Sequence, residues 1–391
     1  MNDHASGVVV GVDAGGTSTR AVVASLDGTR AARGQAAGGN PTAHGVAASC
    51  AAIAHAVGTA LAAYGAAGAQ VRALVAGVAG GDPLRTGAGK AAFDRVLAEL
   101  GVPPGVPVRQ IGDVPVAFAA GTAEPSGTVL ISGTGAVAAA IEDRGLGPLA
   151  DGLGWLLGDH GSGYWIGRRA AQAVVTALAT GAPATSLTTP VAETILHTPA
   201  PSPHPPDRTT PPGSPLLGGA APPGPPAAGG TGAGPGGVAA GSPSGGGGEA
   251  GGTGEGGIGG VAGRALANRL ITVAQSRPPL ELAALAPLVS RAAAEGDAVA
   301  LRIAGEAARL LTDTVAAVRP PGERTPVVLA GSVLTSPGPV RQAVRDLVRE
   351  RWDAAVTVAG DGASAAAWLA ALELLGDEAL SLHPRLVSFE R

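Results

Sequence analysis

Two glycine turns define the chemistry this chain can do. One is Gly11-Val12-Asp13-Ala14-Gly15-Gly16-Thr17; the other, Ile131-Ser132-Gly133-Thr134-Gly135, lies about 120 residues further on. Each follows a short apolar, β-prone run and carries hydroxyl residues. Glycine lets backbone approach a phosphate closely and present its N–H groups. Thr17, Ser18 and Thr134 add hydroxyl donors. Asp13 is a hard oxygen ligand suited to Mg²⁺, directly or through water. Between the turns stands an isolated acid, Asp113, following Gly112 at the end of a predicted strand. Together they read as two phosphate-gripping loops and a carboxylate able to accept a proton. Each turn taken alone is equally a hairpin between two strands. No G-x-x-x-x-G-K-[ST] pattern is present, so this is no Walker loop. The first turn leads into a strand rather than a helix, which argues against a dinucleotide fingerprint.

These residues need a scaffold, and 391 residues suffice for two domains with a core in each. Val8–Asp13, Arg20–Ser25 and Ala31–Gln35 read as strands. Thr42–Tyr64 reads as one long helix with Thr42 as its N-cap. Val71–Val78 is a strand, Ala88–Leu100 a helix and Val106–Ile111 a strand. Pro115 sits just inside the next helix, with Asp113 placed to cap it. Thr128–Ser132 and Val137–Glu142 flank the second turn. Further on, Val261–Gln275, Leu280–Glu295 and Asp297–Val318 read as helices. Pro326–Leu329 is a strand feeding Ala330-Gly331-Ser332. Val340–Arg351 is a helix, Ala355–Ala359 a strand and Ala363–Leu375 a helix. The pattern predicts a mixed α/β protein with strand–glycine-turn units in both halves. The stretch 199–260 is mostly Pro, Gly, Ala, Ser and Thr, and is expected to be a disordered insertion. Closing it in place of a loop of about 6 residues costs roughly 2 kcal/mol.

Composition narrows the class. The net charge of −4 provides no basic field for nucleic acid. Aromatics are 2% and charged residues 14%, so Ala, Val, Leu and Gly must build the core. Cys50 is the sole cysteine, which excludes a disulfide, a Cys-based zinc site and a Cys-ligated cluster within one chain. No secretory leader and no apolar run of membrane-spanning length is evident. A cytoplasmic protein without membrane or nucleic-acid partners is expected.

The pieces Gly11–Thr17, Gly39-Asn40-Pro41, Gly112-Asp113, Val129–Gly135, Gly152–Gly167, Val327–Ser332 and Gly360–Ala367 span nearly the whole chain outside the insertion. On them the chain resembles the N-acetylglucosamine kinases of the BadF/BadG/BcrA/BcrD ATPase family, within the sugar kinase–hsp70–actin superfamily. The run Gly158-Asp159-His160-Gly161-Ser162-Gly163-Tyr164-Trp165-Ile166 is the most specific piece.

The resemblance implies two ribonuclease-H-like lobes of the actin/hexokinase type with an ATP cleft between them. Their bounds would be 1–120 and 121–391, the second interrupted by 199–260. It implies ATP contacts from Asp13, Gly15, Gly16, Thr17, Thr134, Gly135 and the adenosine turn Gly331-Ser332, with Asp13 at Mg²⁺. Asp113 would take the proton of a sugar 6-hydroxyl. Asn40, Asp159 and the backbone of Gly152 and Gly154 would meet the sugar. Each has a plainer alternative: a helix cap for Asp113, a turn residue for Asn40, a carboxylate satisfying glycine-rich backbone for Asp159. His160 stands where relatives often have Glu, either as a proton relay or as a solvent-facing loop residue. Trp155, Tyr164 and Trp165 read as packing between lobes rather than sugar stacking. A homodimer and lobe closure are also implied. N-acetylglucosamine is the leading substrate; glucosamine, N-acetylmuramic acid and glucose are alternatives. An ATPase activator of the same family would need cluster-binding cysteines, and Cys50 falls mid-helix. A sugar-sensing repressor would need a DNA-binding domain ahead of the strand at Val8.

Overall fold

The computed structural model describes residues 7–197 and 260–387. The predicted insertion over 199–260 lies, Gly260 apart, outside the described residues. The chain opens as a three-stranded meander: β1 (Val8–Ala14), β2 (Ser18–Ser25) and β3 (Ala31–Ala37). Helices α1 (Pro41–His44) and α2 (Val46–Tyr64) follow, then β4 (Val71–Val78), α3 (Asp82–Arg85), α4 (Gly87–Glu99), β5 (Val108–Ile111) and α5 (Asp113–Ala119). The sheet order is β3-β2-β1-β4-β5, with β1 to β3 antiparallel and β4 and β5 parallel to β1.

The second half repeats this plan. After β6 (Gly127–Ser132), β7 (Ala136–Glu142) and β8 (Gly145–Asp151) come α6 (Gly163–Thr180), α7 (Thr188–His197), α8 (Val261–Gln275), α9 (Ala286–Ala294) and α10 (Ala298–Val318). Then follow β9 (Val327–Ala330), α11 (Ser332–Thr335), α12 (Pro339–Trp352), β10 (Val356–Val358), α13 (Gly362–Leu375) and α14 (His383–Val387). Read from its meander edge, the second sheet is β8-β7-β6-β9-β10, with the same strand directions as the first. The expected pair of α/β lobes is present. Each glycine turn occupies the same place in its sheet, between the first and second strands.

The core places helices on both sides of the first sheet. Ile53, Val57 and Leu61 of α2, with Phe93 and Leu97 of α4, cover one face. The other face, including Val9, Val22 and Val75, is covered by α13 through Ala363, Ala366, Ala367 and Ala370. The C-terminal helices, expected in the lobe 121–391, therefore return to the first sheet. The all-round apolar pattern of Gly362–Leu375 suits a helix buried on most of its surface. Gly11 makes the close fit: a Cβ there would overlap the backbone of Ala363 and Ala367.

Three local expectations change. The predicted helix over 42–64 is two helices, broken at Gly45, whose φ of 81° favours glycine. Its N-cap is Asn40 rather than Thr42: Asn40 Oδ1 accepts from the N–H of Thr42 (2.9 Å) and Ala43 (3.1 Å). Strand β8 was not expected, because Gly145-Leu-Gly-Pro-Leu carries two glycines and a proline; it is an edge strand, where these are tolerated. Helix α2 is long and apolar enough by composition to cross a membrane, contrary to the expectation that no segment is. Here it packs on β2 and β3 with eight residues buried.

Candidate active site

The first glycine turn joins β1 to β2. Gly15 N–H donates to Ser18 O (2.9 Å), closing the turn, and Gly15 O accepts from the N–H of Gly39 (2.9 Å) and Asn40 (3.2 Å). The turn and the Asn40 region are thus one unit, with Gly16 and Thr17 exposed at its tip. His44, which no motif singled out, ties in through Nε2 at 2.7 Å from Gly16 O. Asn40 spends its side-chain oxygen on the cap of α1, which leaves its NH₂ as the group to offer a ligand.

The second turn joins β6 to β7. Gly133 N–H donates to Gly135 O (2.9 Å), and the first amides of α6 hold the turn from outside: Gly163 to Gly133 O (2.7 Å) and Tyr164 to Thr134 O (3.3 Å). Gly331, at φ 81°, brings a third turn against it; a Cβ there would overlap Ser132 O. Between them opens a cavity of about 620 Å³, lined by Gly133, Thr134, Ser332 and Val333 on one side and by Ser290 and Arg291 of α9 on the other. Thr134 and Ser332, predicted from separate motifs, face one space. The α9 wall carries no motif and was not legible beforehand.

Asp159, Gly135 and Gly152 also converge. Asp159 is buried, and its Oδ1 accepts from Ala136 N–H (3.1 Å), immediately after the second turn; Gly152 N–H donates to Ala136 O (2.9 Å). Burial and the neighbouring Asp151 charge push the Asp159 carboxyl up. Gly154 stands exposed at the tip of this loop. Asp151, missed in the sequence, clamps the loop's neck: its carboxylate accepts from the N–H of Asp159 (2.6 Å) and His160 (2.9 Å) and faces His160 Nδ1 at 3.3 Å. These hydrogen bonds hold Asp151 below its ordinary range despite burial. His160 is exposed, and its ring faces Asp151. Trp155 packs edge-on to Tyr164, ring centroids 5.7 Å apart, within the second lobe.

The duplicated topology places two acids in equivalent positions. Asp113 begins the helix after β5, and Asp361 caps the helix after β10. Asp361 Oδ2 accepts from Ser364 N–H (2.9 Å) and Ser364 Oγ–H (2.6 Å). Asp13 lies against the start of α13: a Cβ on Gly362 would sit 2.5 Å from its carboxylate. Burial first, then the charges of Asp361 and Asp113, push the Asp13 carboxyl up to about 6. Asp113 is also raised, by burial. Asp361 was missed, although Asp just ahead of the predicted helix Ala363–Leu375 is a favoured N-cap residue.

The Asp13 shift has a consequence for stability. Below its ordinary value of 3.8 both folded and unfolded chains hold the proton; above about 6 neither does, and the folded chain then bears the full cost of the buried charge. Stability of the ligand-free protein is therefore expected to fall by about 3 kcal/mol as pH rises from about 4 to about 6. Urea unfolding across that range checks this. Asp13→Asn is expected to make the slope shallower, the raised Asp113 and Asp159 carboxyls leaving a remainder of the same sign, and an unchanged slope in that variant would refute the assignment.

The family model for the BadF/BadG/BcrA/BcrD ATPase family matches residues 10–373, and the chain belongs to that family. No curated protein matches the chain. Among solved structures, the chain is similar to a candidate N-acetylglucosamine kinase from Chromobacterium violaceum, at 22% identity and TM-score 0.59, covering 93% of this chain and 98% of that one. A second candidate N-acetylglucosamine kinase, from Porphyromonas gingivalis, is 16% identical at TM-score 0.48 (96% and 98% covered). A ROK family glucokinase from Streptomyces griseus, solved with glucose and AMPPNP, is 20% identical at TM-score 0.46 (93% and 99%). At these identities it is the fold that is shared.

Proposed function

We propose that this protein is a cytoplasmic, ATP-dependent amino-sugar kinase that phosphorylates the 6-hydroxyl of N-acetylglucosamine. The observation that carries the reading is the cavity shared by Thr134 and Ser332, together with the matching glycine turn after Asp13 at the equivalent place in the first sheet. Adenosine would occupy the cavity between Ser332 and α9. The phosphates would extend over Thr134-Gly135 towards Gly15, Gly16 and Thr17. Asn40, Asp159, Gly152 and Gly154 would meet the sugar.

Phosphoryl transfer asks mainly for alignment and charge neutralisation. Asp113 would accept the hydrogen bond of the sugar hydroxyl and receive its proton as the new O–P bond forms and ADP leaves. A carboxyl raised by burial suits a group that must take a proton. The surroundings of Asp13 fit Mg²⁺: a divalent cation would relieve the mutual repulsion with Asp361 and Asp113. No group of three or more His, Cys, Asp or Glu side chains among the described residues forms a metal cage, so water and phosphate oxygens would complete the shell. The ion would neutralise charge developing on the phosphates. Cys50 is buried in α2, which disfavours the activator reading. A homodimer remains part of the proposal on family resemblance.

The test is ADP release measured across a panel of N-acetylglucosamine, glucosamine, N-acetylmuramic acid and glucose. The expected result is release that depends on N-acetylglucosamine. Dependence on another sugar would reassign the substrate, and release indifferent to every sugar would overturn the kinase reading.

A further inference from the structure

The loop between β8 and α6 is built on costly backbone. Asp151 and Asp159, at its two ends, have φ of 63° and 57°, in the left-handed region that side chains other than glycine adopt at a cost. Strain of this kind persists only where the surroundings fix it, and it gathers at functional sites. Here one carboxylate spans the neck of the loop. Asp151 accepts from Asp159 N–H at 2.6 Å and from His160 N–H at 2.9 Å. Its side chain is 8% exposed, so water competes little for these bonds. Gly158 leaves the room for it: a Cβ there would lie 2.2 Å from Asp151 Oδ1. The tip closes on itself, with Gly158 N–H donating to Gly154 O at 2.8 Å.

The clamp aims a second carboxylate. Asp159 lies against Gly135, where a Cβ would sit 3.0 Å from both of its side-chain oxygens. Its Oδ1 accepts from Ala136 N–H, which leaves Oδ2 to a ligand. The second glycine turn does not depend on these contacts. It is held by Gly133 N–H to Gly135 O, and from outside by the N–H groups of Gly163 and Tyr164. Loss of the clamp would therefore displace Asp159, Gly152 and Gly154 and leave Thr134 in place.

We propose that Asp151 is a positioning residue for the sugar, holding Asp159, Gly152 and Gly154 where the sugar meets them without touching it. The assignment rests on the sugar-kinase reading, in which those three residues face the sugar.

Asp151→Asn and Asp151→Gly test it in the full-length protein, through sugar-dependent ADP release and urea midpoints. Asparagine and glycine both accept a φ of 63°, so the backbone is kept and the carboxylate alone is changed. The amide retains one acceptor and turns an NH₂ group towards the other N–H; glycine retains none. KM for N-acetylglucosamine is expected to rise about threefold in the asparagine variant and at least about tenfold in the glycine variant. KM for ATP is expected to stay within about twofold of the parent in both. A purely structural role would not give this split, because an unfolded fraction lowers kcat and leaves KM where it was. Where the glycine variant does not fold, the asparagine variant decides. An unchanged sugar KM in the folded variants, or sugar and ATP KM rising together, would overturn the proposal while the kinase reading stands. A parent whose ADP release ignores every sugar would overturn the kinase reading, and this assignment with it.

Discussion

The Asp113→Asn protein is expected to fold like its parent and to turn over about 10²–10⁴ times more slowly. Asp113 begins α5, where its carboxylate accepts from its own backbone N–H and that of Val114, bonds that an amide oxygen in its place can also accept. Replacing it by an amide of the same shape leaves the helix intact while removing the proton acceptor. Burial holds the Asp113 carboxyl above its ordinary range. The parent is therefore expected to gain activity as pH rises through that raised value, when Asp113 ionises. The variant lacks this acid limb. Sugar-dependent ADP release from pH 4 to 9 measures both effects. A folded variant with the parent's kcat would remove Asp113 from the base role.

Gly11→Ala is expected to lower stability by about 3 kcal/mol or more, at the upper end of what overpacking costs. The added methyl meets backbone, not a side chain that can turn aside: Ala363 O and Ala367 N of α13 occupy its place. Either β1 or α13 must shift. Asp13 is two residues further along the same strand, and its carboxylate lies at the start of that helix, so the acids around it would part as well. Gly16→Ala provides the control. A Cβ there meets nothing within 4 Å, and its effect is expected within about 0.5 kcal/mol. Urea midpoints of the two variants make the comparison. Equal midpoints would show that the β1–α13 fit tolerates a methyl.

The periodic elements were legible because burial imposes a pattern on them. Val8–Asp13 and Val71–Val78 read as strands because the sheet is covered on both faces, and the long Ala-rich helices read from their lengths. The glycine turns were legible because close backbone approach permits few residues other than glycine, as at Gly331 against Ser132. Asp151 was not legible. Its clamp on Asp159 and His160 is made by backbone N–H groups, which every residue but proline has, so neither neighbour marks it. The α9 wall of the nucleotide-sized cavity was equally silent, since Ser290 and Arg291 sit in an ordinary amphipathic helix. The partner of α13 was hidden for a different reason: an apolar helix declares that it is buried, not which sheet buries it.

That helix also sets an order of events during synthesis. The face of the first sheet carrying Val9, Val22 and Val75 is made by the opening residues, and its cover by almost the last. While the ribosome builds the second sheet, the first can pair its strands and dock α2 and α4 but must keep one apolar face open. A nascent chain halted before Gly362 would present that face to water or to chaperones. The first lobe, though first made, is the last to close its core.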